Sequence, residues 1–206
     1  YVGELVGKTG YDQIHLVGRT VSGAFDLGTI LLIYLIGRKL YKNSKLGLLA
    51  ALFSALAVLQ IQLSHYFTVD NVANFFVYAS IYTAILIMMR EYKTSNAAEV
   101  DKEQAIPWED FFLKGRDIGS YLLFGILYGM ALASKVSVFA LALLLPAASL
   151  VYYSRIPKES RAYESRLIMR NLVVAGILAF ITFRVFQPYA FLGPGFFGMR
   201  INQDWI

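Results

Sequence analysis

Residues 118–153 read IGSYLLFGILYGMALASKVSVFALALLLPAASLVYY, a run of 36 in which Lys135 carries the only charge. A helix on the surface of a soluble domain keeps a polar stripe along one side. No such stripe exists here. The run divides at Lys135 into residues 118–134 and 136–153, and each half approaches the ~20 residues that cross ~30 Å of hydrocarbon at ~1.5 Å per residue. It predicts two membrane-spanning helices joined by a tight turn at Ala133-Ser134-Lys135-Val136.

The pattern recurs outward from that pair. Residues 46–63 and 71–89 are free of charge, and residues 20–37 and 171–191 carry one charge each, Asp26 and Arg184. A central charge costs roughly 2.5–3.5 kcal/mol on insertion scales, which spans this rich in Leu, Ile and Phe absorb. The expected fold class is all-α: a polytopic membrane protein, a single transmembrane domain with about six helices over residues 20–191. Residues 1–19 are expected to form an outer interfacial helix, and residues 192–206 an outer loop opened by Gly193, Pro194 and Gly195. Residues 90–117 mix five basic with seven acidic side chains around Pro107 and Trp108 and read as an interfacial connector.

Composition excludes other classes. Of 206 residues, 57% are hydrophobic and 16% charged, against about 45–50% and about a quarter in soluble domains. Disordered tails need the reverse balance. With no cysteine there is no disulfide scaffold, thiol catalysis or thiolate metal site. The chain begins at Tyr1 rather than Met and ends in a polar run, and is expected to be part of something longer.

Basic residues set the orientation. Loops 38–45, 90–117 and 154–170 share one side and hold 14 of the Lys and Arg residues; the other side receives Lys8, Arg19, Lys135, Arg184 and Arg200. The positive-inside rule makes the first side cytoplasmic. This topology accounts for the net charge of +5, and no basic, aromatic stripe points to nucleic acid. Membrane lipid is the expected partner, with the basic loops near anionic headgroups.

Polar groups in a membrane are costly, so those on the outer half are the candidate site. Ser64-His65-Tyr66-Phe67-Thr68-Val69-Asp70 forms an outer turn, Lys135 marks another, Asp26 lies about two turns inside the first span, and Arg184 sits near the outer end of the last. Each has a structural alternative. Asp70 can cap a helix, Lys135 and Arg184 can snorkel, Asp26 can pair with Arg19, and His65 can be an interfacial hydrogen-bonding residue. Together, cations and carboxylates at one depth suit an anionic lipid phosphate with a polar group attached. No Asp and His cluster has metal-ligand spacing, and no metal is expected.

Five segments carry a family resemblance: GRTVS at 18–22, LIGRKLY at 35–41, GLLAA at 47–51, SHYFTVD at 64–70 and GILYGMALASK at 125–135. In order and spacing they resemble polyprenyl-phosphate-sugar-dependent integral membrane glycosyltransferases of the protein mannosyltransferase and aminoarabinose transferase type. The resemblance implies the multi-spanning C-type glycosyltransferase fold, here incomplete, in the plasma membrane with its site facing outward. It implies Lys135, with Arg184, as holders of the carrier phosphate, and Asp70 and His65 as positioning groups, with Asp26 and Arg19 in support. The donor is a lipid-linked sugar, and no other cofactor is implied. Such enzymes are usually at least twice this length, and their catalytic aspartate would precede Tyr1. Some members carry Arg where His65 stands, which makes phosphate binding here dependent on pH.

The function expected is sugar transfer from a polyprenyl-phosphate carrier to an acceptor. One alternative is a non-catalytic membrane subunit of a larger complex; another is a transporter, whose site belongs near mid-membrane between broken helices. The topology makes the first prediction. In this cysteine-free chain, single cysteines replacing Asn43 and Thr68 will react with a membrane-impermeant thiol reagent from opposite sides of sealed vesicles.

Overall fold

A computed structural model of the chain describes residues 11–66, 68–92, 118–192, 198 and 200–202. Most of the expected interfacial segment before residue 11, residues 93–117 of the connector with Pro107 and Trp108, and most of the outer tail lie outside them. Helix α1 spans Tyr11–Tyr41, α2 Ser44–Ala55, α3 Val58–His65, α4 Val69–Met88 and α5 Ile118–Ser134. A 3-10 helix, Val136–Leu143, runs directly into α6, Leu144–Ser154; a short 3-10 turn then leads to α7, Arg161–Phe186. After a last 3-10 turn, strand β1 (Phe191–Leu192) pairs antiparallel with β2 (Arg200–Ile201).

The protein is thus all-α with a multi-pass membrane character, and its spans differ from expectation in detail. Among the described residues four segments are long and apolar enough to cross a membrane: His15–Tyr41, Val69–Met88, Val136–Ser154 and Lys158–Phe186. Helices α2 and α3 make a fifth only if taken together, bent by 59°, and α5 is a shorter apolar helix of 17 residues.

Three boundaries move for identifiable reasons. From Tyr11 onward the expected surface helix is continuous with the first span; Gly18 does not break it, and Thr20 Oγ1 bonds back to the Leu16 carbonyl at 2.8 Å. The last span begins at Arg161, ten residues earlier than expected, and stops at Phe186 rather than 191 because the residue before Pro188 is driven out of helical geometry. Pro146 lies in the first turn of α6, where its missing N–H leaves nothing unpaired. Its ring would clash with the carbonyl four residues earlier, so α geometry cannot continue back through Ala142. The preceding residues take the 3-10 form instead. With ~2.0 Å of rise per 3-10 residue and ~1.5 Å per α residue, the whole segment still reaches ~32 Å.

Packing is densest where side chains are smallest. Helices α5 and α7 run parallel, and a Cβ added at Gly125 would fall 2.6 Å from the Ala175 carbonyl oxygen. One added at Gly129 would fall 2.6 Å from the Ala179 oxygen and 2.7 Å from Thr182 Cβ. This is GxxxG packing, in which backbones approach because no side chain intervenes. Helices α4 and α6 complete the core through Ala84, Ile87, Leu145 and Ala148, set against Tyr121 and Phe124 of α5. Peripheral α1 meets α2 at Gly37 and Gly47, and α4 through the rings of Phe25, Phe75 and Phe76. Large apolar side chains such as Leu27, Leu59, Leu143 and Phe186 face outward, as a lipid-facing surface requires.

The close contact generates a paired prediction. Gly129→Ala will lower the thermal stability of the detergent-solubilised protein by at least ~1 kcal/mol, the scale of overpacking a tight interior. Gly176→Ala on α7, where nothing lies within 4 Å of the added methyl, will be neutral or raise stability by up to ~1 kcal/mol through helix propensity.

Candidate functional site

The start of α4 and the end of α5 are joined by an ion pair. Lys135 Nζ donates to Asp70 Oδ1 at 2.6 Å, and the two side chains remain 50% and 38% exposed. Asp70 is the second residue of α4, where the N–H groups and dipole of a helix start favour a carboxylate. Lys135 has left α5, with φ of −154°, and starts the 3-10 helix that leads back across the membrane. An ammonium has three donors, and Asp70 takes one of them. A pair this exposed contributes about 0–1 kcal/mol to stability, so it can open at little cost. Chemically it is a positioned cation with donors to spare beside a carboxylate.

Beneath the pair lies a buried polar network. Asn71 Nδ2 donates to Ser22 Oγ at 2.7 Å, and Ser22 Oγ donates to the Tyr66 carbonyl at 3.0 Å. Helix α1, the turn after α3, and the start of α4 are thereby locked together one residue from Asp70. Thr68, at the N-cap of α4, makes no side-chain cap bond, and its Oγ1 is buried without a partner. That hydroxyl has unused bonding capacity two residues from Asp70.

The other expected site residues are placed differently. Arg184 is 5% exposed; it donates to the Pro188 carbonyl, and its guanidinium carbon lies 5.4 Å from the Phe191 ring centroid. It is turned onto the segment that follows α7. His65 is exposed at the end of α3, its Nδ1 at 2.7 Å from the Ile61 carbonyl. That bond requires a proton on Nδ1, so a neutral His65 presents a lone pair at Nε2 and becomes an anion donor only when protonated. Arg19 is exposed on α1. Asp26 does not pair with Arg19: Gln60 Nε2 donates to its Oδ1 at 2.5 Å, and Gln60 Oε1 accepts from Ser54 Oγ at 2.8 Å. This chain of bonds spans the bend between α2 and α3. Because α1 starts at Tyr11, Asp26 lies near the middle of its helix rather than about two turns from its start.

Ser22, Asn71 and Gln60 were not singled out from the sequence, although Ser22 lies inside GRTVS and Asn71 follows SHYFTVD. Glu164 and Arg170, buried at the opposite end of α7, were also missed because residues 154–170 read as a loop, and the buried Asn171 reads only as the first residue of the last span. There Arg170 donates twice to Asn171 Oδ1, at 2.9 and 3.1 Å, and Tyr121 shares a 2.9 Å bond with Ser149 between α5 and α6. Among the described residues no group of three or more His, Cys, Asp or Glu could hold a metal ion. Comparison with family models, with curated proteins and with solved structures finds no match.

Proposed function

We propose that this chain is part of an inverting glycosyltransferase of the C-type fold that moves a sugar from a polyprenyl-phosphate carrier to an acceptor on the extracytoplasmic side of the plasma membrane. The contact between Lys135 and Asp70 carries the proposal, since it joins two segments of the resemblance, residues 125–135 and 64–70. The Ser22 bond to the Tyr66 carbonyl adds residues 18–22 to the same corner.

In such a transfer the acceptor oxygen attacks the anomeric carbon, the bond from that carbon to the phosphate oxygen breaks, and the phosphate leaves with the electron pair. A base takes the acceptor proton; it is not assigned to any residue between Tyr1 and Ile206. Lys135 has the role of meeting the charge that develops on the phosphate, using the two donors that Asp70 leaves free. Asp70 holds the ammonium in place before the carrier arrives. His65, when protonated, adds a second donor, and Arg184 joins only by leaving the Pro188 carbonyl. Arg19, in the third turn of α1, supports the phosphate electrostatically.

A second reading has its own observation. The bend between α2 and α3, bridged to Asp26 by Gln60, is the kind of broken helix with a mid-membrane carboxylate that transporters use.

The test is turnover of a polyprenyl-phosphate sugar by the full-length protein. Removing Lys135 alone would strand Asp70, so the informative variant is the double neutralisation Asp70→Asn with Lys135→Met. Loss of one charge-assisted contact, about 1.5–3 kcal/mol, slows transfer roughly ten- to more than a hundredfold, while Asp26→Asn, which keeps its bond from Gln60, leaves transfer unchanged. Full turnover in a folded double variant removes the proposal; loss of solute uptake in Asp26→Asn favours the transporter.

A further inference from the structure

A cavity lies at the other end of the bundle from Lys135, on the side that the basic-residue split assigns to the cytoplasm. Its volume is about 980 Å³, between the ends of α1, α4 and α6, and among the described residues it is lined by Arg38, Lys39, Lys42, Arg90 and Arg155 with a single carboxylate, Glu91. These cations come from three separate stretches of chain. A topology signal requires basic loops, but it does not require three of them to converge on one space.

Two observations mark the space as built for an anion. Among the described residues neither Arg38, Lys39 nor Lys42 forms an ion pair. Three like charges held this close repel one another. Lys42, in addition, adopts a left-handed backbone with φ of 51° in the turn between α1 and α2. Gly or Asn suits that position far better, so a lysine is held there against its own backbone preference. Arg155 is fixed by donating to the Met88 carbonyl at 3.0 Å, and Arg90 sits 6.0 Å from the Tyr152 ring centroid. Two of the five are thus pre-positioned.

We infer that this cavity binds a phosphate-bearing anion, presented as the headgroup of an anionic membrane lipid. Basic pockets between transmembrane helices on the cytoplasmic side recognise phosphorylated headgroups. Tyr82 and Tyr92, residues favoured at the headgroup level, line the same space, and Leu35 and Met89 offer an apolar floor for the start of an acyl chain. The inference is independent of the outer site.

The experiment measures thermal stabilisation of the purified full-length protein in detergent, titrated with phosphatidylglycerol, phosphatidylcholine or inorganic pyrophosphate. Wild type and Lys39→Gln/Lys42→Asn are compared. Asn accepts the left-handed turn, so the variant keeps its fold or gains stability without ligand. Phosphatidylglycerol will stabilise wild type where phosphatidylcholine does not. At about fivefold per charge near the headgroup level, its affinity will fall about 25-fold in the variant. Pyrophosphate acting as strongly as the lipid, with the same loss in the variant, supports the phosphate site and assigns it a soluble source. The control Lys158→Gln/Arg166→Gln removes two exposed cations on the same side but outside the cavity. An equal loss in the control, or unchanged affinity in the cavity variant, overturns the inference.

Discussion

Everything at the corner of Asp70 and Lys135 depends on how closely α5 and α7 approach. Between helices in hydrocarbon there is no hydrophobic gain, since lipid tails are as apolar as leucine, so association rests on van der Waals contact and hydrogen bonds. Gly125 and Gly129 let the α5 backbone touch the Ala175 and Ala179 carbonyls of α7. That contact makes the two helices parallel and ends them on the same side, and it seats Tyr121 and Phe124 against α4 and α6. With α4 antiparallel to α5, the residue after α5 meets the first turn of α4. Lys135 finds Asp70 because the glycines below bring α5 into the bundle.

The second constraint is that no polar group inside the bilayer can rely on water. The Ser and Thr hydroxyls of the spans bond largely back to their own helices, as Thr29 does to Phe25, Ser80 to Phe76 and Ser149 to Leu145. Side chains that cannot do so are joined in pairs: Asn71 with Ser22, Asp26 with Gln60, Tyr121 with Ser149. These bonds have different consequences. The Ser22 network stiffens the base of the candidate site, and the Asp26 chain holds the bend of α2 and α3 against α1. The Asp70–Lys135 pair, by contrast, is half-exposed and easily opened.

Helical class and the positions of the apolar segments were legible because the absence of charge over residues 118–153 leaves few other structures for the chain. Lys135 and Asp70 were legible too, since each is a charge at the edge of an apolar run. Features that depend on tertiary partners were not. Nothing local marks the bend after Ala55, which contains neither Gly nor Pro. The 3-10 form of Val136–Leu143 depends on Pro146, whose effect reaches backward along the chain. Asp26 lies deeper than a span starting at Thr20 implies, because its helix runs from Tyr11 and nothing local marks that earlier start. Glu164 and Arg170 read as loop charges until α7 was seen to begin at Arg161 and bury them.

The central claim is that the corner of Asp70 and Lys135 receives the phosphate of a polyprenyl carrier. Its most direct test is photo-crosslinking of the full-length wild-type protein in native membranes with a polyprenyl phosphate carrying a photoreactive group beside the phosphate, followed by peptide mapping. Adducts will form on residues 64–72 and 132–140 and will be competed away by unlabelled polyprenyl phosphate. A protein that crosslinks only elsewhere, with neither segment labelled, would contradict it.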